Sequence, residues 1–485
     1  MSLIFEKSEP GRRGIDFPNS TTDYKTELDS KYLRATDAEL PEVSELEVVR
    51  HFTQLSQTNF SIDTNFYPLG SCTMKYNPRV NEAMASLEGF AGLHPLLSQL
   101  KLGGVLTQGA LQVLYESEKM LCEICGMDAF TMQPMAGAHG ELTGIMLIAA
   151  YHRDNGNSHK NKILIPDAAH GTNPASAAIA GYKCITIPSG DNGCLDYAAF
   201  EAAMDDDVAG VMLTSPNTVG VFNPEIKKLS NLAHKHGALM YYDGANLNAI
   251  MGHCRPGEMG FDVIHVNIHK TFSTPHGGGG PGGGPVGVSK RLQPYLPISL
   301  VEKREDGTLG LQYNAKKSIG YLSAFYGNFL VTLRAYTYML RLGGNGLKKA
   351  SAIAVLNANY IKEKLKPAYD LPIDRTCMHE VVFSASRQNQ YGVHAIDISK
   401  ALLDRGMHAP TMYFPLVIKE ALMIEPTETE SKQTIDDFIA IMLDIAKEAK
   451  ENPEAITSAP HNTFVGRVDE VKAAKDMNLA FCPYT

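Results

Sequence analysis

Cysteine is sparse in this chain, 8 among 485 residues with no dense pairing pattern. That excludes a small disulfide-built scaffold and reads as the reduced thiols of an intracellular protein. A basic excess is missing too: 44 basic side chains against 53 acidic ones leave a net charge of -9, without the electrostatic footprint of a dedicated nucleic-acid binder. Long apolar runs are lacking, since stretches such as residues 144 to 151 are too short to span a bilayer. Acidic residues and a proline interrupt the opening MSLIFEKSEPGRRGIDFP, so no signal-peptide core is expected. There is no GxxxxGK[ST] loop, and no GxGxxG that ends a strand and opens a helix, which disfavours nucleotide binding. These absences predict a cytoplasmic protein with no nucleic-acid and no membrane partner. What is present, 44% hydrophobic and 20% charged residues, suits a globular chain of two or three domains. Glycine departs from that plainness, because much of its total of 42 falls in single runs.

Residues 1–95 are rich in Pro, Asn, Ser and Thr with one helical candidate over 39–55, and read as an amino-terminal arm or cap. Beyond about residue 105, strand and helix alternate. Helical patterns over 108–125 and 141–152 flank a short apolar run at 129–132. Strand candidates follow at 162–166, 184–188, 208–214, 238–243 and 262–268, with spacers such as the helical 224–236. Near-continuous apolar strands separated by helices predict a mostly parallel sheet covered on both faces, whose ligand crevice lies beyond the carboxyl ends of the strands. A helical region over 318–342, glycine punctuation at 343–346, a helix over 347–364, a strand at 380–384 and helices at 395–405 and 434–448 predict a smaller α+β domain. The expected organisation is therefore an arm (1–95), a large α/β domain (96–335) and a small carboxyl-terminal domain (336–485).

Each strand tail carries polar chemistry: Asp167 to Ser176 with His170, Ser215 to Thr218, Asp243 to Asn246, and His269-Lys270-Thr271. A lysine taken alone is usually a snorkelling surface residue. Here it leaves an apolar strand on the crevice side, where a partly desolvated amine becomes a nucleophile toward an aldehyde. Asp243 ends the preceding strand candidate and can pair with a protonated pyridine nitrogen. His170 is placed to stack on such a ring. Ala136 to Glu141, AGAHGE, opens a helix whose N-terminus can hold a phosphate, and His269 can donate to the same group. Lysine and aspartate on adjacent strand ends are the minimal pyridoxal phosphate constellation. Other signals read more plainly. Cys122 and Cys125 form a lone CxxC at helical spacing, which favours buried thiols. His265 and His269 sit four apart in a β-branched run, roughly 13 Å along a strand, too far to share a metal; no metal is expected. Asp205 to Asp207 read as a solvated turn. Cys72 suits packing, and Lys75 is a candidate to approach substrate or a partner subunit.

Much of the chain resembles the pyridoxal phosphate-bearing part of the P-proteins of the glycine cleavage system, glycine dehydrogenases (decarboxylating), in their split form as subunit 2. The resemblance rests on GRRG at 11–14, PLGSCTMK at 68–75, AGAHGE at 136–141, AHGTNPAS at 169–176, DGAN at 243–246 and HKTFSTPHGGGGPGGGP at 269–285. At 136–141 single-chain members usually read SGAQGE, so His139 replaces a glutamine. The resemblance implies the pyridoxal phosphate-dependent fold type I, aminotransferase-like, with a mostly parallel seven-stranded sheet, helices on both faces and a smaller α+β domain. It implies pyridoxal 5'-phosphate covalent on Lys270, Asp243 on the pyridine nitrogen, His170 on the ring, and Ala138, His139 and His269 around the phosphate. Ala245 and Thr218 complete the cofactor-binding set, and Lys270, His170 and Asp243 are the catalytic candidates. The implied reaction is decarboxylation of glycine with transfer of the aminomethyl group to the lipoyl arm of the H-protein. A close-packing, mobile glycine run would admit that arm. Single-chain members are about twice as long, which implies subunit 1 as partner in a two-plus-two heterotetramer. Alternatives are another fold type I enzyme acting on a small amino acid (a desulfurase, lyase or aminotransferase) and a catalytically silent interaction subunit.

Overall fold

A computed structural model describes residues 2–15, 29–36, 38–99, 103–276 and 282–478. The chain divides into two compact units at Thr64 and Asn65. In the first, the helix Glu45–Gln57 starts at a Ser44 cap that exchanges hydrogen bonds with Glu47, a reciprocal arrangement that satisfies two otherwise orphaned N–H groups. Arg12, within the GRRG segment, donates to Glu47 over 2.6 Å.

The second unit is built on a seven-stranded sheet: β1 (Ala129–Thr131), β2 (Lys162–Pro166), β3 (Lys183–Ile187), β4 (Val208–Thr214), β5 (Leu239–Gly244), β6 (Val263–Val266) and β7 (Val286–Val288). Their spatial order is β1-β7-β6-β5-β4-β2-β3. Strands β3, β2, β4, β5 and β6 pair in parallel, and β7 is antiparallel to both its neighbours. The expected mostly parallel seven-stranded sheet is therefore present. β5 and β6 are buried along their whole length, which is why they read as unbroken apolar runs rather than alternating ones. Separate apolar clusters cover the two faces. The helix Ile226–Lys235 buries Ile226, Leu229, Ser230 and Ala233, the spacing of a single helical stripe. The helix Gln108–Cys125 ends at Gly126 with φ 71°, the left-handed cap that favours glycine. At the amino-terminal edge of the sheet, the Lys160 ammonium donates to the carbonyls of Asp206 (2.8 Å), Val208 (3.1 Å) and His236 (2.8 Å), stapling three connections together.

A hairpin, β8 (Leu300–Lys303) and β9 (Leu309–Gln312), precedes the long helix Phe329–Leu365. The helix begins eleven residues later than the predicted residue 318. Gly320, Phe325 and Gly327 all take positive φ there, and Gly327 packs so tightly on the Met132 carbonyl that a Cβ would not fit. The glycine punctuation reduces to a kink: only Gly343 (φ 58°, ψ 177°) leaves helical geometry. A second core gathers around the antiparallel sheet of β10 (Val381–Ser384), β11 (Thr411–Met412) and β12 (Ala421–Ile424), packed by the carboxyl half of the long helix and by Lys432–Glu451.

Candidate active site

Parallel pairing brings the chemical residues to one edge. The register sets Thr214 beside Asp243 and Asp243 beside His265, so consecutive strands deliver their terminal side chains in a row. A cavity of about 260 Å³ opens there. The strand tails supply His170, Thr218, Asp243, Ala245, His269 and Lys270 to it, and Gly137 and Ala138 close one end. Seven of the eight residues singled out in the sequence thus meet in one space. The exception is His139, whose Nδ1 accepts the Met135 N–H (3.2 Å) and which is not on the cavity wall.

The floor is a buried carboxylate network. Asp243 lies 3.4 Å from His265 Nε2 and accepts the Ala245 N–H (3.1 Å). His265 Nδ1 meets the Tyr241 hydroxyl at 2.7 Å. Beside them, Glu141 accepts from Thr172 Oγ1 (2.8 Å), and Thr172 Oγ1 also lies 2.8 Å from His170 Nδ1. Burial, reinforced by the Asp243 charge, pushes the Glu141 carboxyl up to about 7. Burial likewise lowers His170 and His265 below the ordinary histidine value. His269 falls to about 4, through burial and then the nearby His276 and Lys270, so the ring is neutral near pH 7 and can donate only a neutral hydrogen bond. Thr218 donates to the Ala168 carbonyl.

Gly137 starts the helix Gly137–Asp154, whose N-cap Ala136 offers no side-chain hydrogen bond. The first N–H groups are thus left for an anion. A Cβ on Gly137 would lie 2.7 Å from Asn267 Nδ2, so the cradle closes around a bare backbone. Residues Gly277 to Pro281 of the glycine run lie outside the described residues. In the remainder, protein contacts already demand glycine: a Cβ on Gly283 would lie 2.7 Å from Ile268 Cδ1, and one on Gly284 would overlap the Ala136 carbonyl.

Two lysines show what environment does. Lys75 is buried in an ion pair with Glu428 (2.8 Å) and bonds to Asn248 (3.0 Å) and Tyr338 (3.3 Å). Burial opposes its charge, but the Glu428 carboxylate prevails and holds its pKa above the ordinary lysine value. It is fixed as a cation and does not line the cavity, so it is not placed to approach a substrate there. Lys270 Nζ donates to the Ser71 carbonyl (2.5 Å), and among the described residues it makes no ion pair. An amine without a counter-ion is the one available for covalent chemistry.

The opposite wall was not foreseen from the sequence. Ser71, His379 and Glu380 line it, with Glu425 behind. The only advance signal was the position of Ser71 inside the PLGSCTMK segment. Cys72 is exposed, whereas burial holds Cys122 at about 12 and the buried Cys125 higher still, as inert thiols. A larger apolar cavity of about 560 Å³ beside Leu111 and Phe329 contains none of the residues singled out in the sequence.

Comparison with known proteins identifies the family and the fold. The family profile of the glycine cleavage system P-protein matches residues 26–314, more than half the chain, and that of the glycine dehydrogenase C-terminal domain matches residues 350–466. A probable glycine dehydrogenase (decarboxylating) subunit 2 from Caldanaerobacter subterraneus is 55% identical over 98% of this chain and 97% of its own. A protein of the same name from Listeria innocua is 53% identical over 99% and 98%. Among solved structures, an inhibitor-bound glycine decarboxylase (P-protein) superposes with TM-score 0.71 at 21% identity, covering 86% of this chain and 93% of that one. A cysteine desulfurase from Thermococcus onnurineus gives TM-score 0.59 at 17% identity, covering 79% and 95%. At these identities the structures establish the fold, and it is the expected fold type I.

Proposed function

The chain belongs to the glycine dehydrogenase (decarboxylating) family, the P-proteins of the glycine cleavage system, and from that premise we propose how its residues divide the work. It acts as the subunit 2 type of P-protein, decarboxylating glycine. The observation that carries the assignment of residues is the convergence of Lys270, Asp243 and His170 with the uncapped Gly137 helix on one cavity.

The residues fit pyridoxal phosphate. The bare Gly137 backbone and free helix N–H groups suit a phosphate, and Asp243 is a buried carboxylate whose nearest basic neighbour is the ring of His265. When bound, the cofactor supplies an electron-accepting ring that takes up the electron pair released as the bond to the glycine carboxylate breaks. Lys270 would hold the cofactor covalently through Nζ and give it up to the substrate amine. Asp243 would keep a proton on the pyridine nitrogen, and the Tyr241–His265 pair keeps that carboxylate oriented from below. His170 would cover one ring face, with Thr172 and Glu141 fixing its imidazole. His269 and Ala138 would bind the phosphate, Ala245 and Thr218 would flank the ring, and His139 would act through the loop backbone.

The partners proposed are subunit 1, in a two-plus-two assembly, and the lipoylated H-protein as aminomethyl acceptor, in the cytoplasm. No helix among the described residues is long and apolar enough to cross a membrane. The test is exchange of labelled bicarbonate into the glycine carboxyl group with subunit 1 and lipoylated H-protein present. Exchange that requires Lys270 is the expected result. A folded, cofactor-loaded complex that exchanges nothing would favour a different fold type I activity, and a chain that never takes up pyridoxal phosphate would favour a silent interaction subunit.

A further inference from the structure

The segment Gly70 to Thr73 brings Ser71 to the cavity, where its carbonyl meets Lys270, and the polar handles of the segment are tied down one after another. The Gly70 carbonyl accepts Thr411 Oγ1 at 2.6 Å, and Gly70 leaves no space for a Cβ against the Met423 side chain. The Ser71 N–H donates to Glu380 Oε2 at 3.0 Å. Thr73 Oγ1 donates to Glu425 Oε1 at 2.6 Å, while Asn246, three residues beyond Asp243 on a strand tail, donates to both Thr73 Oγ1 and Glu425 Oε1. In between, Ser71 takes φ 66°, a left-handed conformation that a serine adopts only when its surroundings hold it there. The Ser71 carbonyl then points at Lys270 Nζ.

We propose, on the reading that Lys270 is the cofactor-bearing lysine, that Glu380 is a positioning residue which fixes the Ser71 backbone so that its carbonyl parks the Lys270 amine. Glu425 and Thr73 fix the far end of the same strap. The argument is one of linked peptide planes. Glu380 clamps the plane before Ser71 and Glu425 clamps the chain two residues on, so the plane between them, which carries the lysine's acceptor, has one orientation left. Without the clamp, Ser71 relaxes to negative φ and the carbonyl turns away. The amine then samples many rotamers before it meets the aldehyde carbon, where condensation releases one water. Holding a nucleophile near its attack geometry is worth an order of magnitude or more in rate. Both Glu380 carboxylate and a glutamine amide oxygen can accept the Ser71 N–H, so the role requires an acceptor rather than a charge.

The test follows covalent loading of the cofactor-free chain with pyridoxal phosphate, by its visible absorbance and by borohydride trapping with peptide mapping. E380L is expected to slow loading about tenfold in the rate constant with the half-saturating concentration unchanged, and E380Q to stay within about twofold of wild type. T73V, which removes the other clamp at nearly constant volume, is expected to slow loading about threefold, and decides the matter should E380L not fold. Wild-type loading rates in E380L or T73V overturn the proposal, as does E380Q behaving like E380L. Trapping of the cofactor on a lysine other than Lys270 in the wild-type chain instead defeats the underlying site reading, and the peptide map separates the two failures.

Discussion

Two buried clusters, each of one histidine and two carboxylic acids, contribute side chains to the same cavity. Glu141, Asp243 and His265 lie on one side and His379, Glu380 and Glu425 on the other, each with one ring nitrogen and two carboxylate oxygens within 4.8 Å of one another. Lys270 lies near enough to both for its charge to favour ionisation of Glu141, Glu380 and Glu425 alike. The difference is in what each cluster holds. In the first, the polar bonds support Asp243 and His170, side chains that border the cavity. In the second, the carboxylates are spent on the backbone of Ser71 and the hydroxyl of Thr73. Identical chemistry therefore serves reactivity on one wall and geometry on the other, and the distinction is made by hydrogen-bond partners, not by residue type.

Removing the lysine between the clusters has the largest expected effect. Lys270→Ala should abolish borohydride-trappable cofactor and lower glycine decarboxylation by about four orders of magnitude, read as labelled carbon dioxide release. Matched substitutions on the two walls come next. Asp243→Asn should retain cofactor yet lose about 10²- to 10³-fold in that assay, while Glu425→Gln should lose less than about tenfold; equal losses would erase the contrast. Smaller still is the support under Asp243. A Cβ on Gly144 would overlap the Tyr241 ring that holds His265, so Gly144→Ala should cost about 1–3 kcal/mol in denaturant unfolding. The subtlest effect is pH-dependent. Burial holds Glu380 and Glu425 at about 7 against an ordinary 4.5. The folded chain thus keeps protons that the unfolded chain has released, and these two groups reduce stability as pH rises through that window. The double variant E380Q/E425Q should melt within error of wild type at about pH 4 and several degrees higher at about pH 8. A gain of the same size at both would show that the pair does not titrate there.

The first cluster's wall was legible in the sequence because parallel strands end in order. Once β4, β5 and β6 are recognised as apolar runs, Asp243 and Lys270 fall at the carboxyl edge without any knowledge of packing. The second wall depends on contacts that no local pattern encodes. Ser71 and Glu380 are 309 residues apart, and neither a left-handed serine nor a glutamate before a short strand announces a partner. Helix limits failed for a related reason: residues 318–328 read as part of the following helix, but Gly320, Phe325 and Gly327 take positive φ and Gly327 packs on Met132, which imposes turns. His139 follows the same logic, since its place in AGAHGE is readable while the choice of the Met135 N–H over the cavity is not.

The staple at Lys160 has a practical reading. It gathers three connections at the end of the sheet opposite the reactive tails, which makes the sheet two-ended, like a tool with a grip and a working edge. Neighbouring exposed positions such as Ser158 and His159 are the places to attach a dye, a tether or a tag, because a probe mounted there reports on the scaffold from the end of the sheet away from the reactive tails.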